Sequence, residues 1–300
     1  LGAPDMLGVV FTLNATHALN IVISGLLEEG CHAICTSMEH NSVMRPLTMA
    51  RSRGVRLSVA LCSGAGELDP AELARLIRPD TRLIVMTHAS NVTGTLMPIA
   101  EVASIVREHG VPLCVDASQT AGAVPIEVEA MGIDLLAFTG HKSLYGPQGT
   151  GGLVISRGLE QRINPLMQGG TGSRSEFEVQ PDFLPDKYEA GTPNAIGIAG
   201  LKAGVDFIRR RGLDAVMAHE KALTTRLISG LKAVPGVRIY GPGDARRQMP
   251  VVSFTLEGVA PSELALALDE EFGVMSRPGL HCAPSAHRTI GTFPEGTLRL

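Results

Sequence analysis

The sequence predicts an α/β protein in two parts. A large unit over residues 1–208 carries a mostly parallel sheet flanked by helices, and a smaller α+β unit follows over 209–300. Three observations support this. Short apolar runs bounded by glycine and proline alternate with stretches of helical periodicity through the first two thirds of the chain. Runs of that length, apolar throughout, read as strands buried on both faces of a parallel sheet. Beyond residue 208 a long helical stretch gives way to separate strands and helices, and no internal repeat links the two parts.

In chain order, Asn14 to Glu29 has apolar residues at helical spacing, with Asn14 or Thr16 near its cap and Gly30 as its stop. The string CHAICTSMEHNSVMRPL reads as a strand and then a loop, with His40 just past the strand end. VRLSVAL is a strand. DPAELARLI is a helix with Asp69 as cap, Pro70 at the first helical position and Glu72 three residues past the cap. RLIVMT is a buried strand, HASNVTGTLMPI leaves its end, and Ile99 to His109 is the returning helix. PLCVD and DLLAFTG are two further strands, ending at Asp116 and just before His141 and Lys142. The glycine- and proline-rich segment from Asn164 to Ile198 is a loop region. A helix starting near Ile196, a helix over Leu213–Val234, strands VRIY and VVSFTL, a helix over Pro261–Phe272 and a closing strand in GTLRL complete the chain.

Composition narrows the function. The 300 residues carry a net charge of −4, so no broad basic field suggests nucleic acid or an anionic membrane as partner. No apolar run approaches the ~20 residues of a membrane span, and no secretory leader is visible. The five cysteines show no CxxC pair or zinc-like spacing, and their odd count argues against a disulfide framework. No metal is expected, and the cytoplasm is the expected compartment. Cys31, Cys35, Cys62 and Cys114 lie in or beside apolar runs and read as small buried hydrophobes. Cys282 lies in a Pro/Gly-rich loop near Arg277, His281, His287 and Arg288, cations of the kind that stabilise a thiolate.

The chemistry concentrates between Pro112 and Ser156. Ligands of open α/β sheets sit beyond the carboxyl ends of the strands, so Asp116 and Lys142 can face one molecule there. A partly desolvated lysine in a glycine-rich turn is a Schiff-base candidate, and an aspartate can hold the protonated ring nitrogen of a pyridine cofactor.

The strings VDASQTAGAVPIEV and GIDLLAFTGHKSLYGPQGTGGLVI resemble the lysine region of class V aminotransferase-fold enzymes. The closest likeness is to the cysteine desulfurase and selenocysteine lyase group. The resemblance implies fold type I of the enzymes that use pyridoxal 5′-phosphate. It makes Lys142 the Schiff-base lysine, Asp116 the partner of the pyridine nitrogen and Gln119 a donor to the ring's phenolic oxygen, with Thr139 and His141 on the phosphate. It also places Ala15 and Thr16 in a phosphate-binding helix start, where Ala15 and His17 depart from the usual Thr-Thr-Glu form. In M-E-H, His40 would stack on the ring and could shuttle a proton. Asn91 would contact the ring oxygen and orient substrate. YEAGTPN would place Thr192 on the phosphate across a homodimer interface.

R-x-G-x-H-C resembles the loop of group II cysteine desulfurases, making Cys282 the sulfur acceptor. Leu280 stands where histidine is common, and the loop after the cysteine is longer. Arg299 aligns with the arginine that grips the substrate carboxylate, and Arg277 is a second cation. The implied reaction converts L-cysteine to L-alanine with a persulfide on Cys282, passed on to an acceptor protein or small thiol. A selenocysteine lyase, transaminase, other lyase or epimerase of the same fold is the alternative, and an inactive fragment or binding protein that keeps the fold is another. The resemblance also implies that an N-terminal segment and the last part of the small unit are absent from this chain.

Overall fold

The computed structural model describes residues 1–3 and 5–300. Seven of the apolar runs form one sheet: β1 (Val9–Thr12), β2 (His32–Thr36), β3 (Arg56–Ala60), β4 (Thr81–Thr87), β5 (Leu113–Asp116), β6 (Leu135–Thr139) and β7 (Gly151–Ile155). Their order is β1-β7-β6-β5-β4-β2-β3. All pairs from β6 through β3 are parallel, whereas β7 runs antiparallel to both β6 and β1. The parallel strands therefore end at one edge, where β1 also ends.

Alternation along these strands builds a core on each face of the sheet. Ile34, Ile84, Met86, Leu113, Val115, Leu136 and Phe138 belong to one cluster, with side chains of helices α3 (Pro70–Ala74), α4 (Ile99–Glu108) and α5 (Ala195–Arg211). Their neighbours in sequence, among them Ala33, Cys35, Leu83, Val85, Cys114, Leu135 and Ala137, pack with α1 (Ala15–Leu26) and α2 (Asn41–Ser52). Burial of both faces is what the uninterrupted apolar runs require.

The second unit contains α6 (Leu213–Lys232), β8 (Val237–Tyr240), β9 (Ser253–Leu256), α7 (Pro261–Phe272), β10 (Arg277–Gly279), α8 (Pro284–Thr289) and β11 (Thr297–Arg299). Its four strands lie in the order β10-β11-β9-β8, antiparallel throughout. α5 runs unbroken through residue 208, and Gly212, with φ 85°, separates it from α6. Among the described residues no helix is long and apolar enough to cross a membrane.

Several local expectations need correction. The segment after β2 is a helix, not a loop. The His40 imidazole caps α2 by accepting the Ser42 N–H, and Val43 and Leu47, one turn apart, are buried. Pro46 inside the helix hides this pattern in the sequence. The DPAELARLI helix is shorter than that string and closes at Ala74, with Arg75 as its C-cap. β1, β7, β10 and α8 were not expected. Cys31 and Cys62 are half-buried, while Cys35 and Cys114 are fully covered.

The loop that carries Lys142 lies directly on α5. A Cβ added at Gly204 would overlap the Leu144 carbonyl oxygen and lie 2.8 Å from the Tyr145 carbonyl carbon. We expect Gly204→Ala to force the loop off the helix and to cost about 1–3 kcal/mol, as overpacking does. Thermal or denaturant unfolding checks this, and an unchanged midpoint would refute it.

Candidate active site

A cavity of about 590 Å³ opens at the carboxyl edge of the large sheet, within the size range of small-molecule sites. Ala15, Thr16, His40, Asn91, Asp116, Gln119, Thr139, His141, Lys142, Arg277, Cys282 and Arg299 all line it. Thr192 is the one expected site residue that does not. It is exposed in a separate cleft with Phe11, Leu13 and Met167.

Asp116 ends β5 and is buried. Its Oδ1 accepts the Ser118 backbone N–H at 2.9 Å and the Ser118 hydroxyl, and its Oδ2 takes no hydrogen bond among the described residues. Lys142 is exposed at the mouth of the cavity and has no ion-pair partner among the described residues. Desolvation by the cavity wall lowers its pKa from the ordinary lysine value. Asp116 opposes the shift and Arg299 adds to it. His141 Nδ1 and the buried Thr139 hydroxyl lie 2.9 Å apart.

His40 is held by Ser42, which the sequence did not single out, and through it by Thr16. Its Nδ1 accepts the Ser42 N–H at 3.0 Å and lies 2.8 Å from the Ser42 hydroxyl, which in turn lies 2.7 Å from the Thr16 hydroxyl. The neutral ring therefore carries its proton on Nε2, a tautomer assigned from this bonding. Burial is the main cause that lowers the His40 pKa. Asp116 opposes it, and Lys142, Arg45 and Arg277 reinforce it.

The second sheet supplies the other wall. Arg277 and Arg299 are directly opposite each other on β10 and β11, and neither has a salt-bridge partner among the described residues. Two cations in register repel, so this pairing favours an anion between them. Arg299 Nη1 donates to the Asn91 carbonyl at 2.9 Å. The Asn91 amide Nδ2 donates to the His281 carbonyl at 2.7 Å, which leaves one of its hydrogens for a ligand. Cys282 is exposed, with its Sγ 3.9 Å from Arg277 Nη2.

The aminotransferase class-V family model matches residues 1–300. The chain belongs to that family. It is 35% identical over 292 residues to a protein named probable cysteine desulfurase from Methanothermobacter thermautotrophicus, covering 96% of this chain and 72% of the relative. A cysteine desulfurase from Dickeya dadantii is 35% identical over 283 residues, covering 92% and 68%. Among solved structures, an apo cysteine desulfurase from Thermococcus onnurineus superposes with a TM-score of 0.90 at 32% identity, over 98% of this chain and 74% of that one. The Escherichia coli cysteine desulfurase CsdA, in an S-sulfonic acid form, gives 0.89 at 29% identity, over 100% and 75%.

Class V aminotransferase-fold enzymes use pyridoxal phosphate, and the residues here fit it. The free Oδ2 of Asp116 suits a ring N–H. The Gln119 amide, which makes no hydrogen bond among the described residues, suits the ring oxygen. The first N–H groups of α1 suit an anion.

Glu39, beside His40, was missed because a glutamate after a strand reads as a surface residue. It is fully buried. Its Oε1 lies 2.5 Å from the Thr36 hydroxyl and accepts the Thr87 N–H at 3.1 Å, while Oε2 has no partner. Burial, reinforced by the Asp116 charge and opposed by these bonds, pushes its pKa up to about 8. Glu39 is thus a neutral acid at pH 7, whereas an unfolded glutamate is ionised above about 4.5. Unfolding between those values releases a proton, so the Glu39 contribution to stability is lost as pH rises from 4.5 to 8. We expect Glu39→Gln to gain on the wild type across this window, by on the order of 5 kcal/mol at the upper end. Urea unfolding of both proteins at stepped pH measures the difference, and parallel curves would refute it.

Proposed function

We propose that this chain is a pyridoxal phosphate-dependent cysteine desulfurase that takes sulfur from L-cysteine onto Cys282. One observation carries the reading: a free thiol and an unpaired pair of arginines share one cavity with the Lys142–Asp116 set. A thiol on the rim beside two carboxylate-binding cations adds a sulfur acceptor to an amino-acid site.

When bound, pyridoxal phosphate supplies an aldehyde for the substrate nitrogen and a ring that draws electrons from the α-carbon. Arg299, fixed by Asn91, grips the substrate carboxylate, and Arg277 adds a second charge. Asp116 holds the ring nitrogen protonated. Lys142, its pKa lowered by desolvation, takes the α-proton. The Cys282 thiolate forms a bond to the substrate sulfur while the carbon–sulfur bond breaks, and the electron pair stays with the carbon. The products are a Cys282 persulfide and, once that carbon is protonated, alanine. The Nε2–H of His40 and the Lys142 ammonium are the proton donors facing the cavity. His40 therefore gives a proton in this reading, since its Nδ1 is already occupied.

The partners follow from the same residues. The exposed cleft at Thr192, rimmed by exposed Phe11, Leu13 and Met167, suits a second copy of the chain that completes a phosphate site. The exposed thiol suits delivery to an acceptor protein or small thiol. Five unpaired cysteines suit a reducing compartment such as the cytoplasm.

We expect the loaded protein to show a Schiff-base absorption band that borohydride abolishes and that Lys142→Ala lacks. Cys282→Ala should keep the band but lose persulfide formation from L-cysteine, read by mass spectrometry of the Cys282 peptide and by alanine release. Turnover of L-selenocysteine that survives Cys282→Ala while cysteine turnover stops marks a lyase able to work without the thiol. Persulfide-independent alanine formation from cysteine would sink the assignment of Cys282.

A further inference from the structure

Cys282 has little to aim it. Its side chain is exposed, and the 3.9 Å approach to Arg277 is its only polar contact among the described residues. The thiol direction is therefore set by the backbone, and that backbone is strained. His281 and Cys282 have φ values of 49° and 59°, two consecutive non-glycine residues in the left-handed region. Such residues persist only where the surroundings over-determine them.

Three clamps do so. The His281 carbonyl accepts from Asn91 Nδ2, and the Cys282 carbonyl accepts the Asn41 N–H at 2.8 Å. Both of these use main-chain oxygens that any residue would provide. The third clamp depends on the side chain at position 281. The His281 ring is only 3% exposed, and its Nε2 lies 3.1 Å from the Thr297 hydroxyl. Its centroid lies 5.4 Å from that of His287, which is wholly buried and tied through Nδ1 to the Thr292 hydroxyl at 2.7 Å. Thr297 lies on β11 two residues before Arg299.

We propose that His281 is a positioning residue: its imidazole locks the left-handed turn to the strand carrying Arg299, and so aims the Cys282 thiol at Arg277 and the cavity. The inference rests on Cys282 as the sulfur acceptor and adds a residue that acts only through it. Two further facts fit. Desolvation first, then Arg299, His287 and Arg277, lower the His281 pKa to about 3, so the ring holds the turn unchanged through neutral pH. Its Nδ1 is buried without a partner, which marks a side chain kept despite an unsatisfied nitrogen.

The test uses the cofactor-loaded protein and alkylation of Cys282 by iodoacetate and by iodoacetamide. A thiol facing Arg277 and Arg299 reacts preferentially with the anionic reagent, and a free thiol does not. We expect His281→Ala and Thr297→Val to lose that preference. Persulfide formation in these variants should fall on the order of 10²-fold in kcat, the cost of an ångström-scale misplacement, with KM for cysteine unchanged. His281→Gln, whose amide nitrogen can reach Thr297, should regain most of both. An unchanged preference in His281→Ala overturns the proposal, even if the melting temperature falls. Should His281→Ala not fold, an unchanged preference in Thr297→Val overturns it equally. A wild type that alkylates selectively yet makes no persulfide removes the desulfurase reading and leaves the positioning role standing.

Discussion

The site depends on the joint at Asn91. Its two walls belong to different sheets, and residues 91–96 stitch them together. The Asn91 side chain holds the Cys282 turn through the His281 carbonyl, while its own carbonyl holds Arg299. The Val92 carbonyl accepts the Ser253 hydroxyl at 2.5 Å, and the Leu96 N–H donates to Arg247 at 3.0 Å. A short loop leaving β4 thereby fixes both the thiol and the carboxylate-binding cation relative to Asp116 on the neighbouring β5. Reacting groups drawn from separate sheets need such a joint, because catalysis tolerates little misplacement.

Electrostatics explains which groups are left unpaired. The cavity holds Asp116, Lys142, Arg277 and Arg299, and an ionised Glu39 behind Asp116 would add a second buried negative charge with no cation beside it. Burial of a lone charge is so costly that the carboxyl takes up a proton instead. Glu39 therefore ties β4 to the start of α2 as a neutral hydrogen-bonding group, and Asp116 remains the one anion for a ring nitrogen. On the opposite wall the repulsion between Arg277 and Arg299 is left standing. It weakens the empty site and strengthens any complex with a carboxylate, so part of the substrate's binding energy is stored in the fold itself.

Features set by local sequence were legible. Asp116 and Lys142 could be placed because buried strands announce themselves as apolar runs and their ends carry the chemistry. The Asn14 cap and the Pro70 helix start were legible for the same reason, since capping involves residues within one turn. What was hidden is non-local. β7 pairs antiparallel with β6 and also with β1, and β1 lies far away in sequence. The helix at α2 was masked by Pro46 and by an uncommon histidine cap. The roles of Ser42, Ser118 and Glu39 arise only once strand ends converge. No periodicity marks two consecutive left-handed residues, and His281 could be read only as a cation near Cys282.

The contrast between Lys142 and Cys282 follows from what each must do. An amine that stays within the site gains from desolvation, which frees its lone pair, so it belongs at the cavity wall on a loop packed against α5. A sulfur acceptor must release its cargo and cannot be walled in. Exposure would normally leave such a side chain free to rotate away. The left-handed turn resolves the conflict by moving the constraint from the side chain to the backbone, where Asn91, Asn41 and the His281 ring can impose it without covering the sulfur. The thiol is thus open to solvent while the backbone that carries it is held in place, a combination that close packing around the sulfur itself could not give.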